Sequence, residues 1–149
     1  MTRPPHDDYV RNVEHFGVQL VLTPDEAQFV RAWSASGAPS SLPATASVRR
    51  GSSVTAMLVF QGCTPDVSGK CDVVANFSLL APDGTLIPGG TGLLWSDEPM
   101  PGRLHLGNAS MGVSFDVNDP VGQYKVIATV KDKVSGKKLS LGSALKVLE

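Results

Sequence analysis

GQYKVIATVKDKVSGKKLSLGSALKVLE, residues 122–149, is the stretch that decides the fold. Tyr124, Val126, Ala128 and Val130 recur at every second position, and Leu139, Leu141, Leu145 and Val147 share one parity further on. A period of two belongs to strands with one face in a core. KVSGK, residues 133–137, joins the two runs and carries a glycine suited to a turn. The C-terminal fifth of the chain therefore reads as an antiparallel hairpin.

The same signature extends upstream. SVTAMLVFQG (53–62) is an almost continuous apolar strand, and DVVANFSLLAPDG (72–84) alternates through Val73, Ala75, Phe77 and Leu79 into a Pro-Asp-Gly turn. TGLLWSDE (91–98), RLHLG (103–107) and MGVSFDV (111–117) are shorter strands around the breaker Pro99-Met100-Pro101-Gly102. About seven strands with regularly spaced turn signals predict an antiparallel β-sandwich over residues 48–149.

The first third of the chain is built differently. Residues 1–15 are polar and predict a flexible arm, and 36–47, rich in Ser, Ala, Gly and Pro, predict a linker. Between them lies a strand–helix extension, 16–35. FGVQLVLT reads as a strand; TPDEAQFVRAW opens with Thr23 as cap, Pro24 in the first turn and Glu26 completing a capping box. Ala27, Val30 and Trp33, with Phe29 beside them, make an apolar stripe at helical spacing. A helix so short is marginal alone, so the extension is expected to dock on the sheet and to form part of a partner interface, including self-association.

Composition excludes several classes. The chain has 149 residues, 42% apolar and 18% charged, with a formal charge of −1, which suits one folded domain. Thirteen basic against fourteen acidic residues leave no electrostatic footprint for nucleic acid. No apolar run reaches the length of a membrane-spanning helix.

Cys63 and Cys71 enclose TPDVSGK at the ends of two strand-like runs. A disulfide is the leading reading and contributes about 2–3 kcal/mol by restraining the unfolded chain; two free thiols are the alternative. Metal or redox chemistry fits poorly, because no histidine is near in sequence and the spacing is not C-x-x-C. A disulfide implies an oxidising compartment: periplasm, cell surface or secretion, with an export signal already removed from a chain that begins MTRPPHDDYV.

DPVGQYKVIATV, residues 119–130, resembles the penultimate strand of immunoglobulin-like and fibronectin type III-like domains. The resemblance covers residues 45–149 and is one of fold. It implies an immunoglobulin-like sandwich with structural roles for Gly122 and for Tyr124, whose hydroxyl would bond a backbone group just upstream in a tyrosine corner. Cys63 and Cys71 are too close in sequence to be the inter-sheet pair of antibody domains.

Catalytic constellations are hard to assemble from what is left. His6, His15 and His105 are the only imidazoles, and no serine sits in a G-x-S-x-G setting. His6-Asp7-Asp8 reads as a solvated tail, and His105 as an outward position. Asp116, Asn118 and Asp119 could line a calcium loop, but an Asx turn accounts for them. No enzyme, resident metal or cofactor is expected. The leading expectation is an exported binding or assembly module that recognises a protein through an edge strand, loops or the helix, with Phe29, Val30, Trp33 and Trp95 as contact residues. A carbohydrate-binding module using Trp95 is the alternative.

Overall fold

A computed structural model describes residues 9–36, 43–100 and 102–149. These residues form β1 (Val10–Val13), β2 (Phe16–Thr23), α1 (Glu26–Ser36), β3 (Ser47–Arg49), β4 (Ser53–Gln61) and β5 (Val73–Leu80). Then follow β6 (Leu86–Trp95), β7 (His105–Leu106), β8 (Met111–Ser114), β9 (Gly122–Asp132) and β10 (Lys138–Leu148). The protein is mostly β, with two five-stranded sheets. One runs β1-β2-β4-β7, with β8 also on β4; the other runs β3-β10-β9-β5-β6. β3 lies parallel to β10, and the remaining pairs are antiparallel.

The main core draws on both sheets. Phe16, Leu20, Leu58 and Phe60 from the first belong to one buried cluster with Val73, Phe77, Val126 and Leu145 from the second. Each such side chain removed from water contributes about 1.5–3 kcal/mol. A second, smaller cluster lies on the far face of the first sheet, where Val21, Met57 and Val59 meet Phe29 of α1, with Ala32, Trp33, Leu104 and Leu106 packed around them. The first sheet is thus covered on both faces. That is why FGVQLVLT and VTAMLVF read as nearly unbroken apolar runs and not as clean alternations.

The N-terminal third differs from its sequence reading. β2 is not an addition to the sheet: it pairs with β4 from Gly17↔Gln61 to Thr23↔Thr55, and Phe16, Val18, Leu20 and Leu22 lie in the main core. β1 arises inside the expected arm and pairs with β2 along its whole length, from Val10↔Gln19 to Val13↔Phe16. β3 begins at the last residue of the expected linker and continues into the body. The rest of the arm, residues 1–8, and linker residues 37–42 lie outside the described residues.

The helix also starts later and faces another way. Asp25, not Thr23, is its cap: the Gln28 N–H donates to Asp25 Oδ1 at 3.1 Å. Thr23 is the fully buried last residue of β2. The inward stripe is Phe29, Ala32 and Trp33, the i, i+3, i+4 set, while Ala27 and Val30 point to solvent. Phe29 is completely buried and Val30 is 42% exposed.

These positions make opposite forecasts for adjacent residues. Phe29→Ala should cost about 3–5 kcal/mol, the usual range for emptying a buried aromatic site. Val30→Ala should stay within about 0.5 kcal/mol. Removing residues 1–35 should abolish cooperative unfolding altogether, because it takes β2 out of the core. Urea titrations of the three variants check this, and a truncated chain with a sharp transition would contradict it.

Candidate functional site

The candidate site is a groove where the edges of the two sheets part. β6 ends its sheet and β8 pairs only with β4, so among the described residues neither outer edge has a partner strand. Over part of their length the two edges run close. A Cβ added at Gly92 would sit 3.0 Å from Ala109 Cβ, and one added at Gly89 would collide with the Met111 sulfur. A side chain at either position would have to displace its neighbour. Pairing with β5 runs Phe77↔Gly90 and then Ser78↔Pro88, which leaves Gly89 as a bulged residue. A bulge bends its strand, and beyond it residues 86–88 leave the neighbouring edge.

The space left between them is a groove of about 540 Å³. Leu79, Met111, Val113 and Phe115 give it an apolar lining, and Thr85, Ser114, Asp83 and Asp119 add polar groups. Leu86 and Ile87, exposed by 58% and 44%, stand on the β6 edge beside it. This volume lies within the ordinary range of ligand clefts. Sequence reading placed a strand only at 91–98 and so missed the β6 edge. The signal was there in PGGTG, which joins edge-type Pro88 to three glycines.

One end of the groove is built on Tyr124. Its hydroxyl donates to the Pro120 carbonyl at 2.8 Å, and its ring meets Phe115 edge-on with centroids 5.0 Å apart. Burial first, and then the nearby Asp119 and Asp83 charges, push the phenol above its ordinary pKa. Gly122 has φ +135°, which lets the chain turn into β9 against Pro82. Asp119 Oδ2 accepts the Asp116 N–H and Asp116 Oδ1 accepts the Asn118 N–H, each at 2.8 Å. The second is an Asx-turn bond, and the first runs back three residues to close the same loop. Among the described residues, no three His, Cys, Asp or Glu side chains converge as a metal cluster. His6-Asp7-Asp8 lies outside the described residues.

The other expected contact residues are scattered. Phe29 and Trp33 pack against the outer face of the first sheet, Trp33 half-buried, and Val30 alone of the three faces solvent. Trp95 belongs to the other cluster, half-buried against the main core. Its ring stands edge-on to Phe60 at 5.7 Å and to His105 at 4.9 Å. His105, expected to face outward, is 2% exposed and stacks on Phe60 at 5.0 Å. The alternation of RLHLG was legible, but its polarity was inverted. Leu104 and Leu106 face the helix, so His105 points into the core. The Met100 N–H donates to its Nε2 at 2.9 Å, and among the described residues the Trp95 indole N–H has no hydrogen-bond partner.

At the end of the molecule carrying the disulfide, Cys63 and Cys71 are bonded to each other. Asp66 caps the enclosed loop by accepting from Ser68 N and Oγ and from Lys70 N. Gly62 leads into it with φ +79°, so close to the His15 carbonyl that any side chain would strike backbone. The fully buried Asp132 accepts the Thr64 N–H at 2.8 Å and the Val134 N–H at 3.2 Å, tying the loop to the β9–β10 hairpin. Sequence reading assigned Asp132 no role.

No family model and no curated protein matches this chain. Solved structures do resemble it. Spo0M, a sporulation control protein from Bacillus subtilis, superposes with a TM-score of 0.51 at 11% identity, over 92% of this chain and 51% of that one. The chain thus spans about half the length of Spo0M, and the likeness is one of fold. A family 123 glycoside hydrolase from Clostridium perfringens gives a TM-score of 0.48 at 10% identity, over 89% of this chain and 27% of that one. The alkylpurine DNA glycosylase AlkC from Pseudomonas fluorescens gives 0.43 at 10% identity, over 70% and 28%.

Two predictions test this packing. Tyr124→Phe leaves the Pro120 carbonyl without its donor and should cost about 1–2 kcal/mol in urea; parental stability would show that the hydroxyl contributes nothing. His105 has its pKa lowered by burial, against a smaller opposing pull from the Phe60 carbonyl. A depressed folded-state pKa means that the unfolded chain takes up the proton first. Stability should therefore be full above about pH 6.5, the unfolded value, and fall as pH drops through the folded one. His105→Asn should flatten that slope between about pH 7 and pH 5, whatever its effect on absolute stability. An unchanged slope would assign the pH dependence to other groups.

Proposed function

We propose that this chain is a non-catalytic, exported binding module of immunoglobulin-like sandwich type, which receives an extended segment of a protein partner between β6 and β8. The sandwich reading draws support from strand order. β2, β4 and the β7–β8 pair stand where strands A, B and E stand in such domains, and β10, β9, β5 and β6 follow the order G, F, C, C′. The disulfide is compatible with a periplasmic, cell-surface or secreted location.

The observation that carries the binding reading is the groove itself. Two unpaired strand edges flank an apolar trough, and an incoming strand could hydrogen-bond to one edge while sending alternate side chains inward. The non-catalytic reading rests on how the histidine of the core is used: His105 accepts a backbone N–H beneath Trp95 and stacks on Phe60. A carbohydrate platform at Trp95 is the weaker reading, since that ring is half-buried against Phe60 and His105.

Panning random nine-residue peptides against the native protein tests the proposal. Selected peptides should shift the amide resonances of β6 and β8, and Ile87→Asp should weaken them by about tenfold, equivalent to about 1.4 kcal/mol, without changing the urea midpoint. Shifts confined to α1 or to the disulfide end, or no enriched peptide, would defeat it.

A further inference from the structure

The groove has a charge as well as a shape. Among the described residues, its charged lining residues are Asp83, from the turn between β5 and β6, and Asp119, from the connection between β8 and β9, with no lysine or arginine beside them in the lining. Both carboxylates are held in place by backbone. Asp83 Oδ1 accepts the Thr85 N–H at 2.9 Å, and Asp119 Oδ2 accepts the Asp116 N–H at 2.8 Å. The Thr85 backbone N–H and then its hydroxyl hold Asp83 below the usual carboxylate pKa, so it remains an anion well into acid. Arg50, in the turn between β3 and β4, lies outside the lining. It donates to the carbonyls of Val117 and Asp119 and stands 4.0 Å from Glu149.

We propose that the occupant is an extended apolar strand bearing a lysine or arginine, whose cation is received by Asp83 and Asp119 while neighbouring apolar side chains enter against Leu79, Met111 and Val113. This rests on the groove being a peptide site and adds the chemistry of the peptide. Unpaired edges specify an extended backbone, the trough specifies apolar side chains, and the two fixed carboxylates specify the sign of the charge between them. Charge of that kind selects among partners more than it raises affinity.

The test uses the full chain and three labelled heptapeptides of alternating valine with lysine, with glutamine or with glutamate, followed by fluorescence anisotropy at low and at physiological salt. The lysine peptide should bind several-fold tighter than the glutamine one, the glutamate peptide weakest, and the spread should shrink with added salt. In D83N/D119N, where each amide oxygen still caps its turn, the lysine preference should vanish while glutamine-peptide binding persists. Salt dependence in the unmodified protein gives a second readout should the double variant lose stability. Equal binding of the lysine and glutamine peptides, or a preference for glutamate, would overturn the cation assignment and leave the groove reading standing. Failure of all three peptides to bind would overturn the groove reading, and this inference with it.

Discussion

The pairing of β2 with β4 organises the rest of the molecule. These two strands lie side by side in a sheet buried on both faces, and their alternate residues serve different cores. Val18, Leu20, Leu58 and Phe60 face the opposite sheet; Val21, Met57 and Val59 face the helix. Register is therefore fixed strongly, since a slip by one residue would exchange the two sets of side chains and leave each mismatched to its cavity. The helix is held by the same pairing. It contributes Phe29 to a surface that β2 and β4 create together, and without that surface an eleven-residue helix would not persist.

The opposite side of the molecule follows another constraint, the separation of two strand edges. A sheet edge carries unpaired backbone groups and is blunted in most proteins. Here Pro88 withholds an N–H, the bulge at Gly89 bends β6, and the glycines at 89 and 92 bring its middle against Met111 of β8 and against Ala109 just before it. The edges are shielded where they touch and open where they part. The trough that results is closed at its end by the tyrosine corner, so the Tyr124–Pro120 bond stabilises the fold and shapes the groove. A residue chosen by strand packing thereby sets the position of Asp119 beside the groove.

His105 and Trp95 show how a polar group is accommodated in such a core. The imidazole stacks flat on Phe60 and receives one backbone N–H, while the indole N–H lacks a partner among the described residues. Unsatisfied buried polar atoms cost free energy that better-paired groups offset. The neutral form is the one this site tolerates, which couples the loop around Met100 to proton uptake.

Read alone, the sequence determined the strands β2, β4, β5, β9 and β10, where the Pro-Asp-Gly and KVSGK turns fall, that Cys63 and Cys71 could meet, and that Tyr124 begins a core strand behind Gly122. Those features depend on local periodicity, turn stereochemistry and short loop closure, all of which are written within a few consecutive residues. Tertiary structure alone decided that β2 is an inner strand, that Phe29 is buried against it, that His105 points inward, and that β6 and β8 border a groove. Each of these depends on what covers a face or approaches an edge from far along the chain. Alternation along a strand reports that its two faces differ, but only the neighbour that packs on a face decides which one is inside.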